Sequence, residues 1–112
     1  MKLITAIIRP YKLDDLELAV AQIGVQGMTV TEVQGYGAEH GHSEVYRGAS
    51  YRIEFVPRTQ VQIAVDESIA EAVIETIANV TRTGKVGDGR IFVTDIEQAI
   101  RIRTGETGVA AT

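Results

Sequence analysis

Leu3 to Ile8 is almost continuously apolar and predicts a strand buried on both faces. Leu3 and Ile7 fall on one face, Ile4 and Ile8 on the other. Pro10 ends it. From about Lys12 to Ile23 the apolar residues Leu13, Leu16, Val20 and Ile23 recur at helical spacing, and Asp14 and Asp15 suit the positive end of the helix dipole. Gly24 and Gly27 supply a stop and a turn. Met28 to Tyr36, rich in Thr and Val, reads as a second strand. Alternation resumes at Tyr51, Ile53 and Phe55. Pro57 then marks an edge or a bulge, and Val61, Ile63 and Val65 complete a clear strand. A second helix is predicted from about Ser68 to Thr81. Ser68 and Glu71 have capping-box spacing, and Ile69, Val73, Ile77 and Val80 form one apolar stripe. Ile91 to Thr94 is a further strand and Glu97 to Ile100 a short helical turn. Ile100-Arg101-Ile102-Arg103 alternates, so an extended segment would put both arginines on one face. Thr104 to Thr112 is small and polar and reads as a mobile tail.

The order β-α-β, long loop, β-α-β implies an α+β, ferredoxin-like βαββαβ sandwich, with two helices on one face of a four-stranded antiparallel sheet. The helices cover one face only. The first strand is apolar on both, so the open face requires a second copy of the chain to bury it.

The chain has 112 residues, enough for one domain, and is 45% apolar with few aromatics, so aliphatic side chains fill the core. It has no cysteine, which excludes disulfides and thiolate metal sites. The apolar start is too short for a signal peptide, and no run approaches the ~18 apolar residues of a membrane span, so a cytoplasmic protein is expected. A formal charge of −4 argues against general nucleic-acid binding.

Two stretches carry candidate chemistry. Thr83-Gly84-Lys85-Val86-Gly87-Asp88-Gly89-Arg90 holds three glycines and two cations in eight positions. Glycines let the backbone approach a ligand and form an anion-binding concavity, to which Lys85 and Arg90 add charge-assisted contacts. It is not a Walker A motif. An ordinary loop with solvated charges is the plain alternative. The second stretch, Gly35 to Ser50, is too long and polar for a tight hairpin, and loops of that length are functional or disordered. Tyr46, Arg47 and Tyr51 suit a protein partner there.

Several long strings resemble the nitrogen regulatory protein P-II signal transducers over nearly the whole chain. They are Gly27-Met28-Thr29-Val30-Thr31-Glu32-Val33, Glu44-Val45-Tyr46-Arg47-Gly48-Ala49, Thr83 to Val93, and Ile100-Arg101-Ile102-Arg103-Thr104-Gly105-Glu106. The resemblance implies a single domain, 1–112, assembled as a trimer, with ATP or ADP in clefts between subunits. Residues 37–55 would be the T-loop and its base, 82–90 the B-loop around the phosphates, and 101–112 the C-terminal strand and tail. Thr29, Gln62 and Ala64 lie where the family holds adenosine. Gly37, Ala38, Gly87, Asp88, Gly89 and Arg90 would approach the phosphates, with Arg101, Ile102 and Arg103 reaching them from the neighbouring subunit. The effector 2-oxoglutarate would sit by Glu39, Gly41, Arg58 and Gly87, with Glu39 toward a Mg²⁺ carried by ATP. Tyr51 matches a modified tyrosine, and Tyr46, Arg47 and Tyr51 would meet the target, an ammonium transporter or a nitrogen-metabolism enzyme. Contact with a membrane would come only through a transporter. The implied function is regulatory and not enzymatic.

Departures cluster at the T-loop base. The family's usual Gly-x-Gly-Arg-Gln-Lys-Gly is Gly35-Tyr36-Gly37-Ala38-Glu39-His40-Gly41 here. A cation is lost at Ala38, a carboxylate gained at Glu39, and His40 is largely neutral near pH 7. Arg58 and Arg90 replace lysines, with a different donor geometry. Weak 2-oxoglutarate binding, and a divergent member serving another transporter or enzyme, are the consequences to test. A metal-binding trimer is a further alternative, since His40 and His42 stand near Glu39 and Glu44. An acylphosphatase-type enzyme on a similar fold would need an active-site asparagine, and Asn79, the only one, falls inside the second helix.

Overall fold

The computed structural model describes residues 1–37 and 55–112. Strand β1 (Lys2–Ile8) leads through a 3-10 turn at Pro10–Lys12 into α1 (Leu13–Gln22). Strands β2 (Thr29–Gly35) and β3 (Val56–Val65) follow, then α2 (Glu67–Thr81) and β4 (Arg90–Asp95). The four strands form one sheet in the order β2-β3-β1-β4, and every neighbouring pair is antiparallel. This is the ferredoxin-like α+β sandwich implied by the order of the elements. Residues 38–54 of the long loop, with Ala38, Glu39, Gly41, Tyr46, Arg47 and Tyr51, lie outside the described residues.

Alternation on the strands divides the sheet. Ile4, Ala6 and Ile8 of β1 and Val61, Ile63 and Val65 of β3 are buried against Leu16 and Val20 of α1 and Ala70, Val73 and Ile77 of α2. Burying each of the larger side chains stabilises the fold by about 1.5–3 kcal/mol. The opposite face carries Leu3, Thr5 and Ile7 of β1, paired in register with Ala64, Gln62 and Gln60. Across β4 the same three residues face Thr94, Phe92 and Arg90. Among the described residues no helix covers this face, and Phe92 is 49% exposed.

Several local expectations are corrected. Ile23 is the C-cap of α1 and stays outside the core, where Val25 packs instead, because Gly24 turns the chain at φ +99°. Helix α2 does not use the Ser68–Glu71 capping box. Asp66 is the N-cap: its Oδ2 accepts from the Ser68 N–H (3.4 Å) and from the Ser68 hydroxyl. The carboxylate one residue outside the helix reaches the first orphan N–H groups before Ser68 can act as a cap. Pro57 forms no bulge. It pairs only with Gln34 of β2, beyond the last β1–β3 pair at Ile8–Thr59, so its missing N–H falls on a local edge.

The C-terminal region differs most. Glu97 to Ile100 makes no helical turn, and Ile100–Arg103 is no extended strand. A bridge joins Ile100 to Thr107, closed by Arg101 N–H to Glu106 O (2.8 Å) and Gly105 N–H to Arg101 O (2.7 Å). The tail expected to be mobile instead folds into a 3-10 turn at Gly108–Ala111, tied back by the Gly108 N–H to Ala99 O (3.0 Å).

Candidate functional site

The glycine loop after α2 is built around one carboxylate. Asp88 Oδ2 accepts from the backbone N–H groups of Thr83 and Gly84, each at 2.8 Å. Its Oδ1 accepts from the Thr83 hydroxyl and from Arg9 Nε at 3.2 Å. The Thr83 hydroxyl oxygen accepts in turn from the Lys85 N–H (3.2 Å). These donors, the Thr83 hydroxyl foremost, then the two N–H groups and Arg9, hold the Asp88 carboxyl well below the usual carboxylate range. Its side chain therefore organises the loop.

Gly84, Gly87 and Gly89 take φ of +88°, +100° and +111°. Left-handed residues set within turns are one geometry that gathers backbone N–H groups into an anion site. Gly89 is needed for a second reason: a Cβ there would lie 1.7 Å from the carbonyl oxygen of Ile7. The loop thus presses directly on the end of β1.

This loop forms one wall of a cavity of about 470 Å³, whose other walls include Ile7, Gly35, Tyr36, Gly37, Arg58 and Phe92. Of the expected ligand residues it gathers Gly37, Arg58, Gly87, Asp88, Gly89 and Arg90. Arg58, Lys85 and Arg90 supply positive charge, and the single carboxylate among the described lining residues is ion-paired to Arg9. Tyr36 and Phe55 flank the two ends of the long loop and meet edge to face, with ring centroids 5.4 Å apart.

A second cavity, about 640 Å³, lies at the other end of the sheet. It is lined by Leu3, Met28, Thr29, Gln62, Ala64 and Arg101, among others, and so gathers the expected adenosine residues with one of the two arginines. Gln62 Nε2 donates across the strands to Thr5 Oγ1 (3.4 Å). The Arg101 guanidinium is held by its own C-terminus, with Nε 3.1 Å from Glu106 Oε1 and Nη2 donating to Ala110 O (2.9 Å). Ile102 and Arg103 line neither cavity. Both are exposed in the turn that replaces the expected strand, Ile102 at 98%.

Leu3 and Ile7 mark the two cavities on β1, four residues apart, which is roughly 13 Å along a strand. The expected ligand set is therefore split in two within one protomer.

The family model described as Nitrogen regulatory protein P-II matches residues 1–106. The chain belongs to the nitrogen regulatory protein P-II family. It is 52% identical to the Nitrogen regulatory protein P-II of Rhizobium meliloti (strain 1021) over 99% of both chains. It is 51% identical, over the same share, to Nitrogen regulatory protein P-II 1 of Escherichia coli (strain K12) and to the Nitrogen regulatory protein P-II of Klebsiella oxytoca. It is thus a signal-transduction protein of nitrogen regulation. No helix among the described residues is long and apolar enough to cross a membrane.

Membership in the P-II family accounts for the glycine loop, but several contributors escaped the reading of motifs. Ile7, Gly35, Tyr36 and Phe92 line the second wall only because β1, β2 and β4 end together there. Arg9 falls in none of the strings that carried the sequence reading. Its link to Asp88 spans 79 residues of sequence, and no local spacing encodes it.

Proposed function

We propose that this P-II family member binds ATP or ADP between subunits of a homotrimer and passes the nucleotide state to a target through residues 37–55. The observation that carries this reading is the split ligand set. Thr29, Gln62, Ala64 and Arg101 line one cavity, and Gly37, Arg58 and the glycine loop line the other. A single protomer does not bring them onto one nucleotide. A neighbouring copy that sets its Arg101 side against the glycine loop does, and it also covers the open sheet face. The cationic loop cavity suits phosphates, and the more neutral cavity at the β2–β3 end suits a nucleoside.

The target would be an ammonium transporter or a nitrogen-metabolism enzyme in the cytoplasm, with any membrane contact made through the transporter. Tyr46, Arg47 and Tyr51 would meet it, and Tyr51 would be the modified residue. The protein would act by population shift, each ligand favouring the loop shape it binds better, with no chemistry of its own. Mg²⁺ would accompany ATP. The change to Ala38-Glu39-His40 at the loop base supports a weakened response to 2-oxoglutarate, since Glu39 adds negative charge beside a dianion. Two like charges 4 Å apart interact by about 4 kcal/mol at an effective dielectric of ~20.

Light scattering combined with calorimetric titration of ADP tests the proposal. A trimer with nucleotide sites equal in number to its subunits is expected. A stable monomer, or a trimer that takes up no adenine nucleotide, overturns it.

A further inference from the structure

Arg9 stands just beyond β1, and its guanidinium makes two contacts to the glycine loop. Nε lies 3.2 Å from Asp88 Oδ1, and Nη2 donates to the Val86 carbonyl at 3.0 Å. The two contacts straddle Gly87, one of the loop's left-handed residues. On the other flank, Gly89 rests on the Ile7 carbonyl with no room for a side chain. The loop is therefore gripped from two points on one neighbour, residues 7 and 9, while Asp88 closes it internally onto Thr83 and Gly84. The ion pair is largely shielded, with side-chain exposures of 20% for Arg9 and 24% for Asp88, so solvent screens it less than an open surface pair. Arg9 does not line the cavity that the loop forms with Arg58 and Arg90. Its fork faces the loop from behind.

Building on the nucleotide reading, we propose that Arg9 is a positioning residue that fixes the glycine loop in its phosphate-receiving shape without touching the ligand. The fork matters: a guanidinium addresses a carboxylate and a carbonyl together in one plane, whereas a lysine ammonium is a point charge. Without Arg9 the loop keeps its glycines, its internal Asp88 contacts and its packing on Ile7 but loses the second of its two holds. The ligand must then order the loop as it binds, which weakens the phosphate contacts and leaves nucleoside contacts at the other cavity unchanged.

The test compares the intact protein with its Arg9→Ala and Arg9→Lys variants. ADP affinity is measured by calorimetry, adenosine affinity by displacement of ADP, and the amide exchange of residues 83–89 in the ligand-free protein. Arg9→Ala should lose about tenfold in ADP affinity, the worth of one charge-assisted hydrogen bond. Adenosine affinity should stay the same, and loop amides should exchange faster while those of β1 and β3 do not. Arg9→Lys should recover part of the ADP affinity. Wild-type ADP affinity in Arg9→Ala, unchanged loop exchange, or an equal loss for ADP and adenosine each overturns the role. If the unmodified protein takes up no ADP, the nucleotide reading itself fails, and the positioning role falls with it. Should Arg9→Ala fail to fold, Arg9→Lys decides by the same readouts.

Discussion

The glycine loop at 83–90 and the C-terminal segment at 100–107 were both expected to meet phosphate, and they behave differently. Most of what shapes the loop lies within it, with Arg9 and Ile7 holding it from outside. Three glycines reach left-handed φ, and Asp88 folds back onto Thr83 and Gly84. The alternating Ile100-Arg101-Ile102-Arg103 instead specifies a pattern of faces with no partner edge. Within one chain it closes on itself through the Ile100–Thr107 bridge, and Arg101 turns to Glu106. A turn carries its determinants locally, whereas a strand needs a neighbour that its own pattern does not name.

The widest separation of the two regions should come from alanine at their glycines. Gly89→Ala places a Cβ into the Ile7 carbonyl at a left-handed φ and should destabilise the protein by roughly 3 kcal/mol or more in denaturant unfolding. Gly105, at φ +77° with open space around it, should cost only about 1 kcal/mol on the same change. Equal losses would erase the distinction between a packed loop and a free-standing turn.

Arg103→Ala sharpens the functional side of the comparison. Arg103 is exposed and lines neither cavity of its own chain. Its removal should leave unfolding unchanged yet weaken ADP binding by ~1.5–3 kcal/mol, the range for a hydrogen bond to a charged group. Unaltered calorimetric affinity would remove the C-terminal segment from the site.

Glu39→Gln should strengthen 2-oxoglutarate binding to the Mg-ATP-loaded protein by about tenfold, equivalent to ~1.4 kcal/mol. Tight binding by the unmodified chain with no gain in the variant would free the loop base of that role.

The smallest effect concerns acid. The Asp88 carboxyl is held low in the folded protein, so its stabilisation is complete above the unfolded value of ~3.9 and is lost as pH falls through the lower folded value. Protection of the Thr83 and Gly84 amides, corrected for intrinsic exchange, should be flat from about pH 7 to about pH 5 and fail only below roughly pH 3. Loss near pH 5 would mean that the carboxylate is not the loop's organiser.

Much of the fold was legible because alternation and helical spacing report burial directly. Ile4 and Ile8, Val61, Ile63 and Val65, and the stripe through Val73 and Ile77 fall in the core as their periods imply. Caps and edges were less so. Asp66 outcompetes Ser68 by reach, and Val25 replaces Ile23 because Gly24 redirects the chain. At the site, glycine and charge marked the loop, but the Arg9–Asp88 clamp and the meeting of the β1, β2 and β4 ends depend on topology.

Mixing two damaged proteins tests the central claim most directly. Arg101→Ala impairs one cavity and Arg90→Ala the other, so each homotrimer should bind ADP weakly. When the two are unfolded and refolded together in equal amounts, about one site in four should regain both intact halves from different subunits. Recovery of wild-type affinity in that minor fraction of sites is the predicted result. Mixed assemblies with no tight site would contradict a nucleotide cleft shared between subunits.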